Sequence, residues 1–235
     1  MKLVANGCSH THGSELYLEK KSIKSKVLDS RQQRKWNLAH CFSSTISKNL
    51  NLQYENLSTP GGSNDKIFRT TIDYVNNNNC SDVFFLIGWT GSCRMEIHNE
   101  KTDEWYNFSI GMGFEDGVYR MESDFKDFYD SYILYLTSNK QARRKRLHYI
   151  QTLQTFLESK NIKYLFFNAV EKLGHTDLNL INRKYFFKPR FSYYDTCKKE
   201  FEMLPYGHFP LAAHNSYADS LIPKIKEILN EDNTK

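Results

Sequence analysis

The sequence predicts an α/β fold, a three-layer α/β/α sandwich around a central, mostly parallel sheet. Three observations carry that expectation. The stretch Asp82 to Gly88 (DVFFLIG) is apolar without alternation, the pattern of a strand covered on both faces. Short apolar runs of this kind alternate with stretches of helical periodicity, and strand–helix–strand units read as parallel strands joined by crossover helices. Of the 235 residues, 40% are hydrophobic, enough for the core of one domain of this size.

The elements follow in order. Lys2 to Asn6 is an apolar run halted by Gly7 and predicts a buried strand. Residues 13–35 are polar, a long loop or ragged helix. Trp36, Leu38, Ala39, Phe42, Ile46 and Leu50 recur at helical spacing and predict one amphipathic helix over 36–50. Gln53 to Leu57 is a second strand, closed by the Pro60-Gly61-Gly62 turn. Asn64 stands where it can cap a helix bearing Ile67, Phe68, Ile72 and Val75, which the asparagines 76–79 end.

Beyond the DVFFLIG strand the rhythm breaks over 94–138. Trp105, Tyr106, Phe108, Phe114, Tyr119, Phe125, Phe128, Tyr129 and Tyr132 lie there among glycines and acids. Such an aromatic insertion reads as a covering flap with its own small core, or as a substrate-facing lid. The alternation then resumes. Leu147, Ile150, Leu153 and Leu157 mark a helix face, and Ile162 to Phe167 a buried strand. Residues 171–204 are irregular and aromatic. A last helix runs from about Asn215 to Leu229, with Pro223 placed to kink it. No linker or repeat divides the chain, so 1–235 reads as a single domain with an insertion at about 94–138.

Composition narrows the partners. Net charge is a mild +5. The densest basic run, Arg143 to Arg146, points all around a helix, so it reads as a solvated helix start and not a one-faced nucleic-acid stripe. Five cysteines without a regular framework read as reduced thiols of a cytoplasmic protein. The apolar run Leu3-Val4-Ala5 is too short for a signal peptide, and no stretch approaches a membrane span. Neither a nucleic acid, a membrane nor a cofactor is expected, and the oligomeric state is open.

In an open parallel sheet, ligands gather at the carboxyl ends of the strands. Three loops of unusual composition follow strands here: Gly7 to Gly13 (GCSHTHG), Asn56 to Asn64 (NLSTPGGSN) and Gly88 to Ser92 (GWTGS). Gly7-x-Ser9-x-Thr11 resembles the first block of the SGNH hydrolases, whose serine is the nucleophile. Asn56 with Gly61 resembles the second block, where a glycine amide donates to the oxyanion. Gly88-Trp89-Thr90-Gly91 stands at the third block, and Gly207-His208-Phe209-Pro210 resembles the last, where the catalytic histidine precedes a proline and a helix. The Pro-Gly-Gly-Ser-Asn turn and Gly-Trp-Thr block are similar to those of SGNH-like proteins of tailed phages.

The resemblance implies a flavodoxin-like fold and an esterase. In it Ser9 attacks a small acyl ester, His208 is the base, and the amides of Ser9 and Gly61 hold the oxyanion, with a hydroxyl from Thr90. The substrate it implies is a small acyl ester, an acetylated carbohydrate among them. Three positions depart from the family pattern: Cys8 for Asp before the serine, Thr90 for the third-block Asn, and Pro205 for the Asp that orients the histidine. The expected catalytic unit is therefore a Ser-His dyad or incomplete triad, with a backbone carbonyl or another carboxylate as orienter.

Alternatives stay open at this level. The departures also fit a catalytically inactive SGNH module used for binding or assembly, in a phage particle or its host's cytoplasm. His214, at the start of the last helix, competes with His208 or supports it. Cys8 is a second candidate nucleophile. On an extended segment, Cys8, His10 and His12 would share a face and suit zinc or copper. Ser9, Gly61 and Gly62 also suit ordinary turns, and Arg94 and Glu96 suit a structural ion pair ahead of a substrate-carboxylate clamp.

Overall fold

The computed structural model of the protein describes residues 1–20, 29–109, 131 and 138–231. In chain order it contains β1 (Lys2–Asn6), the helical turn α1 (Ser9–His12), a 3-10 turn (Leu16–Lys20), α2 (Ser30–His40), α3 (Phe42–Asn49), β2 (Gln53–Asn56), α4 (Asn64–Asn77) and β3 (Val83–Trp89). There follow β4 (Arg94–Asn99), β5 (Glu104–Ser109), α5 (Asn139–Ser159), β6 (Lys163–Asn168), two 3-10 turns (Thr176–Leu180 and Arg183–Tyr185), β7 (Phe186–Ser192), α6 (Tyr193–Cys197) and α7 (Leu211–Asn230).

Five strands form one sheet in the order β2-β1-β3-β6-β7, every neighbouring pair parallel. Successive residues of a strand face opposite sides of a sheet, and the core divides accordingly. Leu3, Phe84, Leu86, Leu165 and Phe167 pack beneath α3 and α7 through Phe42, Ile46, Leu221 and Ile225. Val4, Phe85, Ile87, Trp89, Tyr164 and Phe166 pack beneath α4 and α5 through Ile67, Val75, Ile150 and Leu153. This is the predicted three-layer sandwich. Among the described residues no helix is long and apolar enough to cross a membrane.

Several elements differ from expectation. The helix predicted over 36–50 is two helices, because Cys41 is extended (φ −69°, ψ 162°) and both ends α2 and begins α3. Gly13 packs closely against this break, where a Cβ on it would lie 2.6 Å from Cys41 Cβ. Asn64 does not cap α4. Ser63 does, accepting from the Lys66 amide at 3.2 Å. The last helix begins earlier than predicted, at Leu211, and continues through Pro223.

The irregular stretch 171–204 contains the edge strand β7, with Pro189 inside it. Proline lacks the amide that an interior strand must donate, which confines it to an edge. Arg146 is not part of a solvated helix start. It is buried, and its Nη2 donates to Asn168 Oδ1 and the Glu171 carbonyl, each at 2.5 Å.

Within the insertion, β4 and β5 form an antiparallel hairpin. Of its predicted flap residues, Phe114, Tyr119, Phe125, Phe128, Tyr129 and Tyr132 lie outside the described residues.

Two glycines let α1 settle on the strand ends. A Cβ on Gly7 would lie 2.3 Å from Thr11 Oγ1, and one on Gly88 would lie 2.5 Å from the Phe167 ring and 2.6 Å from Thr11 Oγ1. Gly88→Ala is expected to destabilise the fold by about 1–3 kcal/mol, as overpacking does. Urea unfolding measures it, and an unchanged midpoint would contradict the packing described.

Candidate active site

The three loops predicted to share a rim do so. The Leu57 amide donates to the Ala5 carbonyl at 2.8 Å and the Thr59 amide to Gly7 at 3.4 Å, which lays the second loop along the first. Asparagine side chains latch the rest. Asn6 Nδ2 reaches the Ile67 carbonyl and the hydroxyls of Thr70 and Thr71 at 2.9–3.1 Å, fixing the end of β1 to α4. Asn64 Oδ1 accepts from the Thr90 amide at 2.9 Å while its Nδ2 donates to the Thr90 and Gly91 carbonyls. Asn56 Oδ1 accepts from the Ser58 amide and its Nδ2 donates to the Thr11 carbonyl.

Onto this rim the far end of the chain folds. His208 Nδ1 donates to Glu15 Oε2 at 2.7 Å. The same carboxylate accepts from the His208 amide at 2.9 Å and, through Oε1, from the Tyr206 amide at 2.8 Å. Two backbone positions make the contact possible. Glu15 itself sits in the left-handed region (φ 72°), and Gly207 (φ 90°) turns the chain just ahead of the histidine. Nearby, Glu19 Oε2 accepts from the Leu211 amide at 2.6 Å.

An imidazole that donates from Nδ1 keeps its Nε2 lone pair free, the form a general base requires. Burial lowers the His208 pKa below its ordinary value, the hydrogen bond and charge of Glu15 oppose that, and the Arg94 charge adds to it. His208 is therefore neutral near pH 7. Its side chain keeps 18% exposure, against 6% for Glu15.

Ser9 opens the α1 turn and is buried. The ring of its neighbour His10 lies 5.1 Å from that of His208, centroid to centroid. Among the described residues, the amides of Ser9 and Gly61 donate to no hydrogen bond, and Gly61 is left-handed (φ 72°). Thr90 is fully buried, its amide spent on Asn64 and its hydroxyl without a partner.

Other candidates are placed differently. Cys8 is fully buried in the apolar cluster with Leu3 and Phe42, so its thiol belongs to the core and not to the rim. Cys8, His10 and His12 do not share one face of an extended segment, because residues 9–12 are helical. Among the described residues no group of His, Cys, Asp or Glu is arranged to hold a metal ion.

His214 is a core residue and not part of the rim. Its Nδ1 accepts from the Phe42 amide at 3.2 Å, and its ring stacks on Phe42. It thereby serves the first turn of α3, whose own cap, Cys41, makes no side-chain bond. Glu96 does not pair with Arg94. It takes a bidentate bond from Arg69, at 2.9 Å from Nε and 2.8 Å from Nη2. Glu15 was absent from the residues singled out in the sequence. Its only local signal is to be the first acid after the Ser9 turn. A separate cavity, lined by Phe187, Phe191, Thr196, Phe201 and Tyr217 among others, contains none of Ser9, Glu15 or His208.

A five-stranded parallel sheet between two helical layers is the fold of the SGNH-like hydrolases. The chain belongs to a family of unknown function (DUF6071), whose model matches residues 23–187. That span takes in Gly61 and Thr90 and leaves out Ser9, Glu15 and His208.

No curated protein matches the sequence. Among solved structures, a carbohydrate esterase described as having an active site with divergent catalytic and non-catalytic binding functions aligns at TM-score 0.53 and 11% identity, over 96% of this chain and 64% of that one. The chain thus spans less than two thirds of that esterase. An acetyl xylan esterase from the rumen bacterium Butyrivibrio proteoclasticus aligns at TM-score 0.47 and 16% identity, over 97% of this chain and 64% of that one. A psychrotrophic esterase from Pseudoalteromonas sp. aligns at 0.48 and 10%, over 98% and 100%. At 11% identity the likeness to the first of these is one of fold.

The buried histidines give stability a defined pH dependence. Burial, aided by the His208 charge, holds His214 down to about 3, and burial, with Arg34 and His208, holds His12 at about 4. In the unfolded chain both titrate near 6.5. Folded values below unfolded ones mean that stability is whole above about pH 6.5 and is lost as pH falls toward 4 and 3. Each such histidine adds up to about 1.4 kcal/mol per pH unit to the slope. Urea midpoints measured from pH 7 to 4 should show this fall, and His214→Gln should make it shallower. An identical slope in the variant would contradict the burial of a neutral His214.

Proposed function

We propose that the protein is a serine hydrolase of small acyl esters, with Ser9 as nucleophile, His208 as general base and Glu15 as the carboxylate that orients the imidazole. The observation that carries this reading is the 2.7 Å bond from His208 Nδ1 to Glu15. It supplies, from the N-terminal segment, the orienting role that Pro205 cannot. A histidine with a buried carboxylate on Nδ1 and a free Nε2 is the arrangement that activates a serine hydroxyl.

In the first step His208 Nε2 takes the Ser9 hydroxyl proton as Oγ bonds to the ester carbonyl carbon. The amides of Ser9 and Gly61 receive the oxyanion. Collapse of the tetrahedral intermediate breaks the bond to the alcohol, which leaves with the proton from His208. Water, deprotonated by the same imidazole, then attacks the acyl-serine and releases the acid. Likeness to a carbohydrate-esterase fold supports an acylated carbohydrate as the substrate class. The free cysteines suit a reducing compartment.

The test joins labelling to kinetics. A fluorophosphonate probe should modify Ser9, and Ser9→Ala should abolish the label. A label that survives the substitution would place the nucleophile elsewhere and overturn Ser9, and no label in the native protein would point to a non-catalytic binding module instead. Activity of the native enzyme should rise with pH through a pKa below 6.5 and then level, because only neutral His208 accepts the proton. Glu15→Gln should cost on the order of 10²–10⁴ in kcat and shift the acid limb to lower pH, since Glu15 raises that pKa.

A further inference from the structure

The hairpin β4–β5 brings a cation to the rim that the proposed chemistry leaves unused. Arg94 begins β4, directly after the third loop, and its amide donates to the Gly91 carbonyl at 3.4 Å. Its guanidinium Nη1 is buried and has no hydrogen-bond partner. The carboxylate two residues on, Glu96, is taken by Arg69, which also lies 4.2 Å over the Trp105 ring. Glu171, which meets the third loop, is engaged by the Ser92 amide and hydroxyl at 2.7 Å and by Arg143. Among the described residues Arg94 forms no ion pair.

A buried guanidinium N–H without an acceptor is costly, and guanidinium groups are suited to planar, bidentate capture of carboxylates and phosphates. The charge of Arg94 is also felt at two histidines of the rim. Besides burial, its charge contributes to lowering the pKa of both His10 and His208. A positive charge held directly after the third loop and left unpaired by the protein is positioned to be paired by a ligand at the rim.

We infer that Arg94 is a specificity-determining residue that binds an anionic group, a carboxylate or a phosphate, on the ester substrate. This rests on the hydrolase reading for the word substrate, while the anion site itself does not require catalysis. The substrate class thereby narrows from acylated carbohydrates in general to acylated acidic ones, such as uronic acids or sugar phosphates.

Equilibrium binding to the Ser9→Ala protein tests the anion site apart from turnover. The probes are glucuronate and glucose 6-phosphate, each compared with glucose. The expected result is at least roughly tenfold tighter binding of one or both anionic sugars, a preference lost in Ser9→Ala/Arg94→Gln and partly restored by Arg94→Lys. Which sugar is preferred separates carboxylate from phosphate. Equal binding of all three sugars, or a preference that persists without Arg94, would overturn the inference. Fluorophosphonate labelling of Ser9 in the native protein reports separately on the hydrolase reading, so the two can fail independently.

Discussion

The carboxylate of Glu15 is the constraint on which the rest of the rim depends. It is buried, and it accepts three hydrogen bonds from a turn 191–193 residues away in the sequence. A buried carboxylate without donors would be strongly unfavourable, so the 204–208 turn and the 13–15 segment form together or not at all. That turn closes on itself as well, the Leu204 amide donating to the His208 carbonyl at 2.7 Å. The left-handed backbone at Glu15 costs conformational energy for a non-glycine residue, and such positions persist where the surrounding structure over-determines them. Here the surrounding structure is the histidine loop.

The remainder of the rim is a scaffold of side-chain latches on a rigid sheet. Asn6, Asn56 and Asn64 each accept a loop amide with their side-chain oxygen, from Gly7, Ser58 and Thr90. Among the described residues, the amides of Ser9 and Gly61 are left without an acceptor. Glycine at 7 and 88 admits Thr11 between the strand ends, which brings the turn bearing Ser9 close to the sheet. The motif residues therefore divide into two sets: those whose polar groups shape the loops and those whose polar groups the loops leave free. Thr90 belongs to the first by its backbone, since Asn64 holds both its amide and its carbonyl.

Much of the fold was legible in the sequence because its strands are buried on both faces. The runs at β1, β3 and β6 have no polar interruption, and their parallel pairing follows from the helices between them. Edge strand β7 was not legible, because Phe-Lys-Pro-Arg-Phe carries exposed charges and a proline instead of an apolar run. The break at Cys41 was hidden because Phe42, Ile46 and Leu50 continue the helical spacing across it. At the candidate site, Ser9, Gly61 and His208 were singled out through motif position. Glu15 was not, since its role is set by a partner at the other end of the chain and no local pattern encodes it. The same limit explains His214, whose proximity to a motif gave no hint that its ring stacks inside the core.

The central claim is that Glu15 fixes His208 with its proton on Nδ1. Nitrogen-15 NMR of the imidazole in the intact protein tests this most directly, through the shifts that distinguish a protonated from an unprotonated ring nitrogen. At neutral pH the His208 signals should show a protonated Nδ1 and an unprotonated Nε2, and Glu15→Ala should abolish that pattern. A His208 ring protonated on Nε2, or a pattern indifferent to the loss of Glu15, would contradict the account.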